Sequence, residues 1–183
     1  MINSDESVER AADAMSATPG KPPEGDPKKQ VDPRMHSAEH ILTATLMKLL
    51  GCGRPFTTHI EKKKSKADYR FPRNLTEDEI ARVEQEVNRV VSADLPIREE
   101  FLTFEEAHSK YDLHRLPPGN EDRVRIVHIG DYDACPCSGP HAASTCSIGR
   151  FRIVSSSFEQ EALRVRFKLD PPEASIDRQV KIP

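Results

Sequence analysis

The stretch "MHSAEHILTATLMKLLG", residues 35–51, decides how the rest of the chain is read. Ile41, Leu42, Leu46, Leu49 and Leu50 recur at helical spacing, and Gly51 is a suitable stop, so the segment reads as one amphipathic helix. Its first half carries "HSAEH". His36 and His40 stand four residues apart, which puts both imidazoles on one helix face about one turn apart, able to pinch a divalent metal. The same letters form the H-x-x-E-H signature of a zinc peptidase class, in which the residue at Glu39 would be the general base.

Outward from this helix, "PFTTHI" and "KADYRF" read as strands joined by the charged turn "EKKKSK". "NLTEDEIARVEQEVNRVVSADLP" is a second long helix. Thr76 and Glu79 make a capping box at its start, and Ile80, Val83, Val87, Val90 and Val91 form its buried stripe. "IREEFLTF" suggests a strand, "FEEAHSKYDL" a short helix, and "DRVRIVHIG" a half-buried strand; "IGRFRIVSSSF" and "EALRVRFKL" read as a closing hairpin. Strands with helices inserted, without regular βαβ alternation, point to an α+β fold. We expect an antiparallel sheet covered on one face by the two long helices.

The chain has 183 residues, 36% hydrophobic and 31% charged, with a formal net charge of −3. Any nucleic-acid contact must therefore use a local patch. Lys62, Lys63, Lys64 and Lys66, at the tip of the first hairpin, are such a patch, or only a solvated turn. Residues 1–34 include "TPGKPPEGDPKKQVDPR", too poor in apolar surface to offset ordering entropy, and are expected to be a disordered extension. The domain is expected over residues 35–170, with a C-terminal tail over 171–183. No apolar run is of spanning length and the N-terminus lacks a leader pattern, so a cytoplasmic protein is expected; the sequence leaves the oligomeric state open, with a monomer favoured.

The second cluster of chemistry is "CPCSGPH", where Cys137 and His141 are again four apart. Cys and His are the side chains zinc prefers, and a tetrahedral site needs four donors. Two ligands from a helix and two from a distant loop make a site that closes only on folding. Cys135 is a rival for the thiolate position, Cys146 a weaker one. Peptidases of the H-x-x-E-H type usually add a carboxylate ligand, and no second carboxylate motif is present. Glu39 is then left to face solvent or to support a ligand. Asp131 and Asp133, just before the loop, are candidates to hydrogen-bond a ligating histidine, or plain loop carboxylates.

"HSAEHIL", followed about a hundred residues later by "CSGPHAASTCSIGRFRI", resembles the paired HxxxH and CxxxH motifs of alanyl-tRNA synthetase editing domains and their free-standing AlaX-type relatives. The resemblance runs from about Met35 to Leu169 and includes "YRFPRNLTEDEIARVEQEVNRVV". It implies zinc held by His36, His40, Cys137 and His141, and hydrolysis of a mischarged aminoacyl-tRNA ester, Ser-tRNA(Ala) first and Gly-tRNA(Ala) second. It also implies a threonine on the strand after the first helix that contacts the seryl hydroxyl: Thr57 by spacing, Thr58 as the alternative. "SGPH" departs from the usual "GGTH" and is closer to the threonyl-tRNA synthetase domain that edits Ser-tRNA(Thr). A non-catalytic tRNA-binding module with a structural zinc is the further alternative.

Overall fold

The computed structural model describes residues 31–113 and 123–170, so the expectations for residues 1–30 and for the 171–183 tail lie outside the described residues. The first helix, α1 (Pro33–Leu50), starts two residues before Met35. Asp32 is its N-cap, accepting hydrogen bonds from the Arg34 and Met35 amides, and Pro33 sits at the first helical position, where no amide hydrogen is needed. Gly51 ends it in the left-handed region, at φ 69°. From Met35 to Leu46 every residue but His36 is buried, polar ones included. Such a helix survives because its hydroxyls are satisfied: Thr45 donates to the Ile41 carbonyl and meets the Tyr132 hydroxyl, at 2.7 and 2.8 Å.

After α1 come β1 (Thr57–His59), β2 (Ser65–Tyr69) and α2 (Glu77–Ser92). Thr76 and Glu79 form both halves of the capping box. Val83, Val87, Val90 and Val91 are buried, with Ile80 half-buried against them. Next come β3 (Ile97–Leu102), α3 (Phe104–Lys110), β4 (Val124–Ile129), β5 (Asp133–Pro136), β6 (Arg150–Glu159) and β7 (Ala162–Asp170).

The fold is α+β with antiparallel pairing throughout, but the strands form two sheets, not one. The larger has the order β1-β2-β7-β6 and the smaller β3-β4-β5. Alternation reveals which face of a strand is buried and not which strand is its neighbour, so the pattern of residues does not announce the division. Leu163, Val165 and Phe167 on β7, with Phe151 on β6 and Ala67 and Tyr69 on β2, form the large sheet's contribution to a core shared with both long helices. Leu102, Ala107, Leu113, Val124 and Ile126 make a smaller cluster on the second sheet. α1 packs against both α2 and β5, and so brings its N-terminal half to the second sheet.

One side chain ties α2 to the large sheet. The Asn88 carboxamide donates to the carbonyls of Glu84 and Phe151 and accepts from the Phe151 amide at 2.8 Å. Asn88→Ala leaves both backbone groups of Phe151 without their partner, at a cost of about 1–3 kcal/mol. The urea midpoint is expected to fall accordingly, with an unchanged m-value.

Candidate metal centre and its cavity

α1 presents His36 and His40 toward the loop that follows β5, and that loop returns Cys137 and His141. One ligand atom from each of the four lies within 4.8 Å of the other three. The Cys137 Sγ stands 3.4 Å from Nε2 of His36 and 3.4 Å from Nε2 of His141. Zinc–nitrogen and zinc–sulfur bonds of usual length, spread tetrahedrally, separate such donors by about 3.6 Å. The set therefore fits zinc in both chemistry and spacing.

Each histidine has its other nitrogen anchored, which aims the free one inward. His36 donates from Nδ1 to the Pro140 carbonyl at 3.1 Å. Ser37 gives its hydroxyl hydrogen to the Pro33 carbonyl, so its oxygen accepts from Nδ1 of His141 and from the Ala142 amide, each at 3.1 Å. The His40 Nδ1 faces the Cys135 thiol at 3.3 Å and the Asp133 carboxylate at 3.6 Å. Asp133 is in turn held by Arg54 at 2.7 Å.

The electrostatics follow from this crowding. Burial pushes the Cys137 thiol up, but hydrogen bonds from His141, His36 and His40 outweigh it and bring the group down to about 3. Burial, with repulsion from His40 and His36, lowers His141 to about 4. A thiolate and a neutral imidazole are the forms that ligate a metal. Burial also pushes His40 down, yet hydrogen bonds with Asp133 and Cys135 carry it well above the ordinary histidine value. These partners favour the protonated form of His40, a charge that an ion at the centre would replace.

The loop is shaped from beneath and above. Arg125 on β4 donates through one terminal nitrogen to the carbonyls of Cys137 and Gly139, at 2.9 and 2.8 Å. Gly139 lies against the His36 ring: a β-carbon there would fall 2.3 Å from Cε1 and 2.6 Å from Nδ1. Gly139→Ala must displace the ring, and zinc affinity measured by chelator competition is expected to drop about 10–100-fold with the fold intact.

Beside the cluster lies a cavity of about 810 Å³, lined in part by His36, Glu39, His40, Arg54, Thr58 and Cys137. Thr58 belongs to its wall. Thr57 does not, because it points to the opposite side of β1, where Thr57 pairs with Asp68 and Thr58 with Ala67. Glu39 does not face solvent: it is 6% exposed and borders the cavity. Asp133 stands 3.6 Å from Nδ1 of His40, and Asp131 is exposed. Cys135 sits on the far nitrogen of His40 and not among the four converging donors, though His40, Asp133 and Cys135 are themselves close enough to form a second potential ligand group. Cys146 is exposed, beside the Ser144 hydroxyl at 3.2 Å. Lys62, Lys63 and Lys64 are exposed at the β1–β2 turn, with Lys66 half-buried on β2. Sequence reasoning missed Ser37, Arg54 and Arg125. Only Ser37, between the two histidines, had any positional signal.

The site is a four-donor His/Cys cluster, split between a helix and a loop after antiparallel strands in an α+β domain, that could hold a metal ion. Residues 124–166 match the second additional domain of threonyl and alanyl tRNA synthetases. The chain is 32% identical over 138 residues to an alanine–tRNA ligase of Fervidobacterium nodosum, covering 75% of this chain and 16% of that protein. It is 34% identical over 150 residues to that of Archaeoglobus fulgidus, with 79% and 16% covered. For Treponema denticola the identity is 32% over 136 residues, with 70% and 22% covered. The match thus spans between 16% and 22% of these relatives' length. These matches place the chain in the alanyl-tRNA synthetase editing-domain-like family. Among the described residues no helix is long and apolar enough to cross a membrane.

Proposed function

We propose that this protein is a zinc-dependent deacylase acting in trans on mischarged tRNA, with Ser-tRNA(Ala) as its first substrate. The observation that carries the reading is the set of four donors, each histidine anchored through one nitrogen, at the wall of a cavity that also presents Thr58. His36, His40, Cys137 and His141 would hold a zinc ion, which would supply Lewis acidity beside the ester once one of the four donors gives way to open a position. The chain's own residues do the rest. Thr58 offers a hydroxyl to the seryl side chain. A site built to hydrogen-bond that group rejects alanine strongly, because its own polar atom would be left unpaired. Arg125 and Ser37 keep the loop and His141 in place, and the Asp133–Arg54 pair orients His40.

The cavity mouth suits the 3′ end of a tRNA. Arg70 and Lys110 line it, and the Arg70 guanidinium lies 5.3 Å over the ring of Phe56, which is 42% exposed. Charge for phosphates and a ring for a base stand side by side. Lys62, Lys63 and Lys64 add a separate group of exposed cations at the β1–β2 turn. Replacing all three by alanine is expected to weaken every tRNA alike and to flatten the log–log salt dependence by about 1 for each phosphate no longer neutralised.

The test is a deacylation panel of Ser-tRNA(Ala), Gly-tRNA(Ala), Ser-tRNA(Thr) and Ala-tRNA(Ala) with wild type and His40→Ala. The expected pattern is turnover of Ser-tRNA(Ala), sparing of Ala-tRNA(Ala), and loss of activity in the variant. Preference for Ser-tRNA(Thr) would reassign the tRNA. Tight tRNA binding with no ester cleavage on any substrate would leave a binding module with a structural metal.

A further inference from the structure

Glu39 has no part in the chemistry proposed above. We propose that its carboxylate receives the α-ammonium group of the bound aminoacyl ester, so that the cavity accepts free-amine esters and refuses N-acylated ones. The assignment rests on the deacylase reading for the identity of the ligand.

Three observations carry it. Glu39 is 6% exposed and borders the same cavity as His36, His40 and Thr58. Its hydrogen bonding is incomplete: Thr43 donates to one oxygen at 2.7 Å, and among the described residues no donor reaches the other. The cations around it are engaged elsewhere. Arg54 feels the Glu39 charge through space, but gives its hydrogen bonds to Asp133 at 2.7 Å and to the Ala134 carbonyl at 3.3 Å. His40 turns its Nδ1 to Asp133 and Cys135. Of the other charged groups on the cavity wall, Arg70, Lys110 and Asp112 are exposed, and the half-buried Cys137 sulfur is taken up by His36 and His141.

A buried carboxylate with one neutral donor is poorly compensated, since a hydroxyl does not replace a counter-charge. An ammonium ion supplies that charge together with three hydrogens to donate. In an aminoacyl ester the ammonium is attached to the carbon next to the ester carbonyl. Seating it on Glu39 therefore sets the carbonyl close to the four-donor centre while the side chain turns to Thr58. Acylation of the nitrogen removes the charge and leaves the carboxylate with the Thr43 hydroxyl and no counter-charge.

Binding of two hydrolysis-resistant probes tests this by calorimetry: adenosine bearing serine in 3′-amide linkage, and the same compound N-acetylated. Wild type is expected to bind the free-amine probe at least about 30-fold more tightly, the penalty typical of leaving one member of a buried charge pair alone. Glu39→Gln, a near-isosteric change, should abolish that preference while keeping its metal content. Equal binding of both probes by wild type, which needs no variant to fold, would overturn the assignment. So would a Glu39→Gln variant that weakens both probes equally. Deacylation of Ser-tRNA(Ala) in parallel separates the two readings: a wild type that distinguishes the probes but cleaves no ester supports the role of Glu39 and overturns the deacylase.

Discussion

Replacing Cys137 by alanine is expected to reduce zinc from about one ion per chain to a trace, and Ser-tRNA(Ala) deacylation by at least about 100-fold, beyond what loss of a supporting partner causes. Cys137 is the one thiolate among the four converging donors, 3.4 Å from two imidazole nitrogens. Without it imidazoles alone remain as donors, and an ion there loses its anionic ligand in a buried setting. Cys135 is not positioned to take over. Its sulfur faces Nδ1 of His40 at 3.3 Å, on the side of the ring turned away from the centre. Cys135→Ala should accordingly keep its zinc and lose no more than about 10-fold in activity. Elemental analysis of both variants, with kcat/KM measured on one batch of charged tRNA, checks the pair. Equal loss in both would move the thiolate to Cys135.

Phe151→Ala carries the largest expected loss of stability, about 3–5 kcal/mol. The ring is fully buried, 5.4 Å from that of Phe167, in the core shared by the large sheet and both long helices. The backbone around it is pinned by Asn88, so the cavity left behind cannot collapse readily. For a chain of this length that loss lowers the melting temperature by roughly 10 °C. Phe101, 50% exposed, is the control: its alanine variant should stay within about 0.5 kcal/mol of wild type. Calorimetry or a thermal melt of both proteins decides the matter.

Local signals carried much of the architecture. The capping box at Thr76 and Glu79 marked the start of α2 to the residue, the half-buried pattern marked β4, and the closing hairpin marked β6 and β7. The strand β5 escaped because "DACP" is four residues long and holds no β-branched side chain. That short strand sets where Cys135 points. Thr57 and Thr58 show the limit most clearly. Adjacent residues on a strand face opposite ways, so one step of register decides which hydroxyl meets the cavity, and register comes from pairing with Ala67 and Asp68. The two histidine-bearing motifs were legible because a spacing of four has meaning on a helix whatever surrounds it. Arg54 and Arg125 gave no signal, since only the folded chain puts them beside Asp133 and the 137–139 turn.

The distance along the chain between the two halves of the centre has a consequence for the polymer as well as for the chemistry. His36 and Cys137 are 101 positions apart, one on a helix of the main core and the other on the loop leaving the smaller sheet. A covalent tie closing a loop of that length removes about 4–5 kcal/mol of freedom from the unfolded chain. An ion gripped from both ends acts as a reversible version of that tie. Its departure would be felt first as slackening of the smaller sheet against α1, legible as faster amide exchange in β4 and β5 while β6 and β7 remain protected.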